Sequence, residues 1–191
     1  MQTPMQLLVT SLRATVATVL LCVVGYTVVA LGVAQLLVND AAEGSLITRP
    51  DGTVVGSRLI GQSFAEPRYF WPRPSAVGYD ASAAGGSNKS PTSPDLAERA
   101  RLLVERYAAT AKRPLPAELV AASGGGLDPH VTEHAALYQV DRVAAARRGL
   151  DRARIEALVR EHAVAPGGPL TPGRVVNVLE LNLALDAEEA R

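Results

Sequence analysis

Between Arg13 and Asp40 the chain carries no charged side chain. Residues 14–38 run from Ala14-Thr15-Val16 to Leu36-Leu37-Val38 and are almost wholly apolar. A hydrocarbon core of about 30 Å takes about 20 helical residues, so this run predicts a single transmembrane helix with some tilt. Signal-peptide cores hold only about 7–15 apolar residues, so a retained anchor is expected rather than a cleaved leader. Arg13 precedes the run, Asp40 and Glu43 follow it, and the next positive charge is Arg49. The positive-inside rule then predicts that residues 1–13 form a short cytoplasmic N-terminus and that residues 39–191 lie outside the cytoplasm.

Past residue 39 the periods are those of a water-soluble domain. Ser45-Leu46-Ile47-Thr48 and Thr53-Val54-Val55-Gly56-Ser57 flank Asp51-Gly52, which predicts a hairpin. Arg58–Phe64 is expected to continue the sheet. Residues 65–94, rich in Pro, Gly, Ser and Ala, predict a long ordered loop or linker. Leu96, Ala100, Leu103 and Tyr107 share one face of a helix capped by Ser93 or Asp95 and ended before Pro114 and Pro116. A second helix is expected from Thr132 as N-cap to Arg148, with Leu137, Val140 and Ala144 inward and Gly149 as its stop. Asp151 caps a third helix through His162, and Pro166–Gly173 reads as a loop. Val176, Val178 and Leu179 open a last strand-like segment ending near Asp186. Strands and helices mix without βαβ repetition, which gives an α+β soluble domain preceded by a single N-terminal transmembrane helix.

Charge adds a limit. With 19 basic and 19 acidic residues the formal net charge is zero, so no general attraction to nucleic acid is expected. The only cysteine, Cys22, lies in the apolar run, so the domain can form neither a disulfide nor a cysteine-based zinc site.

Four short motifs have the residue types that could carry chemistry. His130-Val131-Thr132-Glu133-His134 matches the H-x-x-E-H pattern of inverted zinc peptidases, which needs both histidines on one continuous helix. Pro129 and an N-cap at Thr132 put His130 outside that helix, and nothing orients His162 as a third ligand. No metal site is therefore expected. Gly85-Gly86-Ser87-Asn88-Lys89-Ser90 lacks the spacing of a phosphate-binding loop and reads as a turn. Ser123-Gly124-Gly125-Gly126 could offer backbone N–H groups to an anion, although a glycine turn before a helix is the preferred reading. Tyr69-Phe70-Trp71-Pro72-Arg73-Pro74 suits an interface or a small core equally. No catalytic constellation emerges.

Several segments, taken in order, resemble the C subunit of the bacterial Kdp potassium-transporting P-type ATPase. They are Gly44-Ser45-Leu46-Ile47, Val55–Phe64, Tyr69–Ala76, Gly85–Asn88, Ser123–His130, Ala135–Val140, Arg142-Val143-Ala144 and Val176–Asp186. The resemblance covers the anchor and nearly the whole domain. Four positions depart from it: Lys89-Ser90 stands for a usual Leu-Gly, Gly125 for a usual serine, and His134 for a usual small residue or proline. The resemblance implies a non-catalytic, single-pass subunit of an ATP-driven potassium importer in the bacterial inner membrane. Its implied partners are a channel-like potassium-binding subunit and an ATP-hydrolysing subunit, with ATP and K⁺ used by the complex. This chain has no Asp-Lys-Thr-Gly phosphorylation motif. The implied role is assembly, stabilisation and a catalytic-chaperone action that raises the ATP affinity of the hydrolysing subunit. The resemblance also likens Ser123, Gly124, Gly125, Gly126 and Gln139 to an ABC-transporter signature, which makes them a nucleotide region. Two other readings compete: an independent membrane-anchored extracytoplasmic binding domain and an anchored zinc hydrolase.

Overall fold

The computed structural model describes residues 3–168 and 173–190. It divides into two compact units at Leu46/Ile47. The first holds helix α1, Pro4–Leu37, which is 34 residues long and apolar enough to cross a membrane, with no buried residue in its most apolar window. Thr3 caps it: its hydroxyl accepts from Gln6 N–H while the Gln6 side chain accepts from Thr3 N–H. Val19–Gly25 is wound wider, as a π-helical stretch, and Tyr26 N–H donates back to Leu21 C=O.

The domain begins with the anticipated hairpin, β1 (Leu46–Thr48) against β2 (Val54–Ser57). Gly52 takes φ +82° in its turn, and Asp51 accepts from Thr53 N–H. Arg58–Phe64 does not extend this sheet. It is irregular, because Gly61 N–H donates instead to Leu127 C=O, tying the segment to another loop. Residues 65–93 form an ordered loop without strands. Helix α2, Pro94–Arg106, starts at Ser93, and its apolar stripe is half-buried rather than buried.

The core lies between a three-stranded sheet and three helices. Strands β3 (His130–Thr132), β4 (Ala163–Val164) and β5 (Val175–Asn177) pair antiparallel in the order β3-β5-β4, with Val131 opposite Val176. Helix α3, Glu133–Ala146, follows β3, and Thr132 caps it by accepting from Ala135 N–H. It ends before the expected Arg148, because Arg147 is already extended and Gly149 takes φ +99°. Helix α4, Arg152–Glu161, is capped by Asp151 as expected. Of the anticipated 166–173 loop, residues 166–168 form a turn and residues 169–172 lie outside the described residues.

The C-terminal segment corrects the sequence reading. Only Val175–Asn177 is strand; Val178–Glu189 is helix α5. Asn177 ends the strand and caps the helix by accepting from Glu180 N–H. The local Val-rich composition favours strand, but Val178, Leu181 and Leu185 recur at helical spacing and bury completely or nearly so. They join Phe70, Leu119, Val140, Val143, Ile155 and Val159 in one apolar cluster, with Leu137 and Ala144 packed at its edge.

Candidate functional site

Gln139 sits on the buried face of α3 and is 1% exposed. A buried carboxamide is costly unless both of its ends are bonded. Here the Oε1 accepts from Trp71 N–H at 2.9 Å and from Arg142 Nη2 at 2.7 Å, while the Nε2 donates to Trp71 C=O at 3.0 Å. Asn182 of α5 repeats the device one residue earlier. Its Oδ1 accepts from Phe70 N–H at 2.8 Å, and its Nδ2 donates to Phe70 C=O at 3.0 Å. Two helices thus hold consecutive peptide units of one loop in the manner of strand partners. Sequence reasoning missed Asn182. Its signal was a lone carboxamide among leucines in Leu179-Glu180-Leu181-Asn182-Leu183.

The clamped loop carries its side chains inward as well. Phe70 is fully buried and Trp71 nearly so, so the core reading of the aromatic segment holds for both. The Arg106 and Arg142 guanidinium carbons lie 3.8 and 3.6 Å from the Trp71 ring centroid. Tyr107 meets the indole edge-on at 5.1 Å. Burial pushes Arg142 down to about 10, with Arg106 adding to the fall against the pull of Tyr107. Burial pushes the Tyr107 phenol up to about 12.

Arg147, with a side chain fully out of solvent, anchors the other end of the loop. It bonds Asp186 at 2.8 Å, Glu189 at 2.7 Å and the Arg68 carbonyl at 2.9 Å. Tyr69 Oη donates to Asp186 at 3.1 Å; burial first, then Asp186, raises its pKa.

The Ser123–Gly126 turn packs on the following stretch of the same loop. Ser123, 3% exposed, donates its N–H to Pro74 C=O, and Gly85 N–H donates to Gly125 C=O. Gly126 takes φ +69°, and a Cβ there would lie 2.6 Å from Val77 and 2.8 Å from Gly85 O. At Gly125 a Cβ would meet nothing within 4 Å, so the serine usual in the resembling family would fit as well. The N–H groups of Ser123 and Gly126 are engaged within the protein, the latter with Ser123 C=O. Among the described residues no hydrogen bond joins the Gln139 side chain to this turn. Both touch the loop from Trp71 to Pro74, Gln139 at Trp71 and Ser123 at Pro74.

Asp128, just beyond the turn, accepts from Arg73 Nη1 at 3.0 Å and from His130 N–H at 3.0 Å. Burial works against its charge, but the His130 and Arg73 contacts outweigh it and hold its carboxyl below the usual range. His130 lies in β3 and His134 in the first turn of α3, so the two histidines do not share a helix face. Among the described residues no cluster of three or more His, Cys, Asp or Glu could hold a metal ion.

Comparison with known proteins gives a consistent answer. The family model described as KdpC, the K⁺-transporting ATPase c chain, matches residues 8–187. A protein of Parvibaculum lavamentivorans named potassium-transporting ATPase KdpC subunit is 60% identical over 185 residues, covering 97% of this chain and 98% of its own length. Proteins of the same name from Dechloromonas aromatica and Xanthomonas oryzae pv. oryzae are 45% identical over 168 residues and 47% over 164. The first match covers 85% of this chain and 87% of the relative, and the second covers 84% and 78%.

Proposed function

The chain belongs to the KdpC family, the c chain of the K⁺-transporting ATPase, and from that premise we propose that it is a non-catalytic assembly subunit of such a pump. In this reading α1 anchors the chain in the bacterial inner membrane with its N-terminus in the cytoplasm, and the domain stands outside, beside a channel-like potassium-binding subunit. The ATP-hydrolysing subunit is the second partner, and ATP and K⁺ are used by the complex rather than by this chain. Its action on the ATP affinity of the hydrolysing subunit is then carried by subunit contacts, not by nucleotide held at Ser123–Gly126 and Gln139.

The observation that carries this reading is the state of Gln139: the side chain is buried, and both ends of its amide are bonded to Trp71. An extended nucleotide phosphate chain would meet an amide that is buried and turned to Trp71. Co-purification tests the role. Removal of this chain from cells should cost the stable complex of the other two subunits, and its return should restore it. An intact, fully active complex without the chain would refute the assembly role. Topology has its own test: with Cys22→Ala as background, Ser93→Cys should react with a membrane-impermeant thiol reagent in intact spheroplasts. Labelling only after permeabilisation would reverse the orientation.

A further inference from the structure

A cavity of about 170 Å³ opens beside the Trp71 indole, between the 63–79 loop and the C-terminal half of α2. Its walls include the rings of Phe64, Trp71, Tyr79 and Tyr107, with Arg106 and Ser75 among them. Ser75 Oγ accepts from Val77 N–H and Tyr79 N–H, so its own proton is free to donate. The Tyr107 hydroxyl makes no hydrogen bond among the described residues. Arg106 donates a single long bond, 3.4 Å to Phe64 C=O, and forms no ion pair among them. Its situation differs from that of Arg58, Arg68, Arg73, Arg147 and Arg154, each of which faces a carboxylate.

Two guanidinium groups therefore lie over one indole with no carboxylate lining the space beside it. Arg142 is held at a reduced pKa by burial and by Arg106. Local charge is in excess by one sign, and an anion would relieve it. The free groups, a guanidinium fork and two hydroxyls, are donors that match a carboxylate. Aromatic walls favour a ligand with an apolar body over a fully hydrated ion such as phosphate. Pockets for drug-sized ligands span about 300–1,000 Å³, so this one takes only a few heavy atoms and excludes a nucleotide.

We propose that this cavity binds one carboxylate group on a short apolar stem. Two sources share that chemistry: the side chain of an acidic residue on a partner subunit, or a free short-chain carboxylate. The partner source rests on the assembly reading above; the binding chemistry does not.

Trp71 is the only tryptophan in the chain and forms part of the cavity wall, so its emission reports the site. The full chain in detergent micelles is titrated with sodium propionate at constant ionic strength, with propionamide as the uncharged isostere. A saturable change with propionate and none with propionamide is expected. Arg106→Gln should abolish saturation. Tyr107→Phe, which keeps the ring contacts, should weaken binding about tenfold, the effect of one hydrogen bond to a charged group. Its circular dichroism should be unchanged. A linear response to both solutes, or the same saturation in Tyr107→Phe and Arg106→Gln as in the parent, would overturn the proposal.

The source is read at Ser63, which is exposed and lines the cavity. With Cys22→Ala as background, the thiol of Ser63→Cys is labelled in the isolated chain and in the assembled pump. Protection in the pump without added propionate identifies a partner carboxylate. Equal labelling in both, slowed by propionate, identifies a free one. Equal labelling that propionate does not slow would count against the site.

Discussion

Gln139→Ala is the sharpest perturbation the structure offers, because it separates a packing role from a nucleotide role. The substitution removes three hydrogen bonds and leaves Trp71 N–H and C=O without their partners inside the core. A buried polar group left unsatisfied costs about 1–3 kcal/mol, and two are exposed to that cost here. The vacated space also loses van der Waals contacts, partly regained if water enters and bonds Trp71. The total comes to about 3–5 kcal/mol, a large part of the roughly 5–15 kcal/mol that holds a typical domain folded. The assay is urea unfolding of the full chain in micelles, followed by Trp71 emission and by far-ultraviolet circular dichroism. Coincident transitions make a two-state free energy legitimate. The midpoint should fall steeply at constant slope, and Asn182→Ala should behave alike because it unclamps Phe70 in the same way. A loss below about 1 kcal/mol would refute the clamp, since even one unsatisfied group exceeds that. In the pump that still assembles, the ATP concentration for half-maximal hydrolysis should stay within about twofold of the parent. A large rise with assembly intact would refute the packing role and restore the nucleotide reading.

Other outcomes follow from neighbouring geometry. Gly126→Ala forces a Cβ against Val77 and Gly85 O at positive φ, and should cost about 2–4 kcal/mol, whereas Gly125→Ser should stay within about 0.5 kcal/mol; thermal melts of the two variants check the contrast. Asp128 has a folded pKa below its unfolded value, so its stabilisation is present above about pH 4 and is lost as pH falls through the folded pKa. Asp128→Asn should therefore lower stability at pH 7 and flatten part of the decline below about pH 4, as read from unfolding at stepped pH. Arg147→Met takes the buried cation from Asp186 and Glu189 and leaves them Arg68 alone, and should cost about 2–3 kcal/mol in urea, less than a fully buried pair because both carboxylates keep some solvent and that second guanidinium. Replacing Gly25 and Gly32 of α1 with leucine should lower co-purification with the other pump subunits while leaving insertion intact, if close helix contact in lipid drives assembly; unchanged yield would assign the contact to the domain.

What could be read from the sequence depended on whether the deciding interaction was local. The apolar N-terminal helix, the 51–52 turn and the caps at Thr132 and Asp151 are set by local sequence, and all of them stand in the structure. The last segment was misread because Val175–Leu179 carries strand-forming residues on both sides of Asn177. Asn177 decides the outcome twice: its backbone pairs with His130, and its side chain accepts from Glu180 N–H to start α5. Neither the pairing nor the burial of Leu181 and Leu185 is visible within a short window. The same limit governs the site. Gln139 looks like an ordinary polar position on α3 until the loop 68 residues earlier folds against it, and Asn182 until a loop 112 residues earlier does. A polar residue on an apolar helix face can therefore mark either a ligand contact or a backbone clamp. The unmet hydrogen-bonding capacity of the folded neighbours decides between them. At Phe70 and Trp71 that capacity is a peptide N–H and C=O each, which one carboxamide satisfies completely. Beside Trp71 it is the reverse: no carboxylate lines the space, Arg106 has only a long bond to Phe64 C=O, and the proposed acceptor comes from outside the chain.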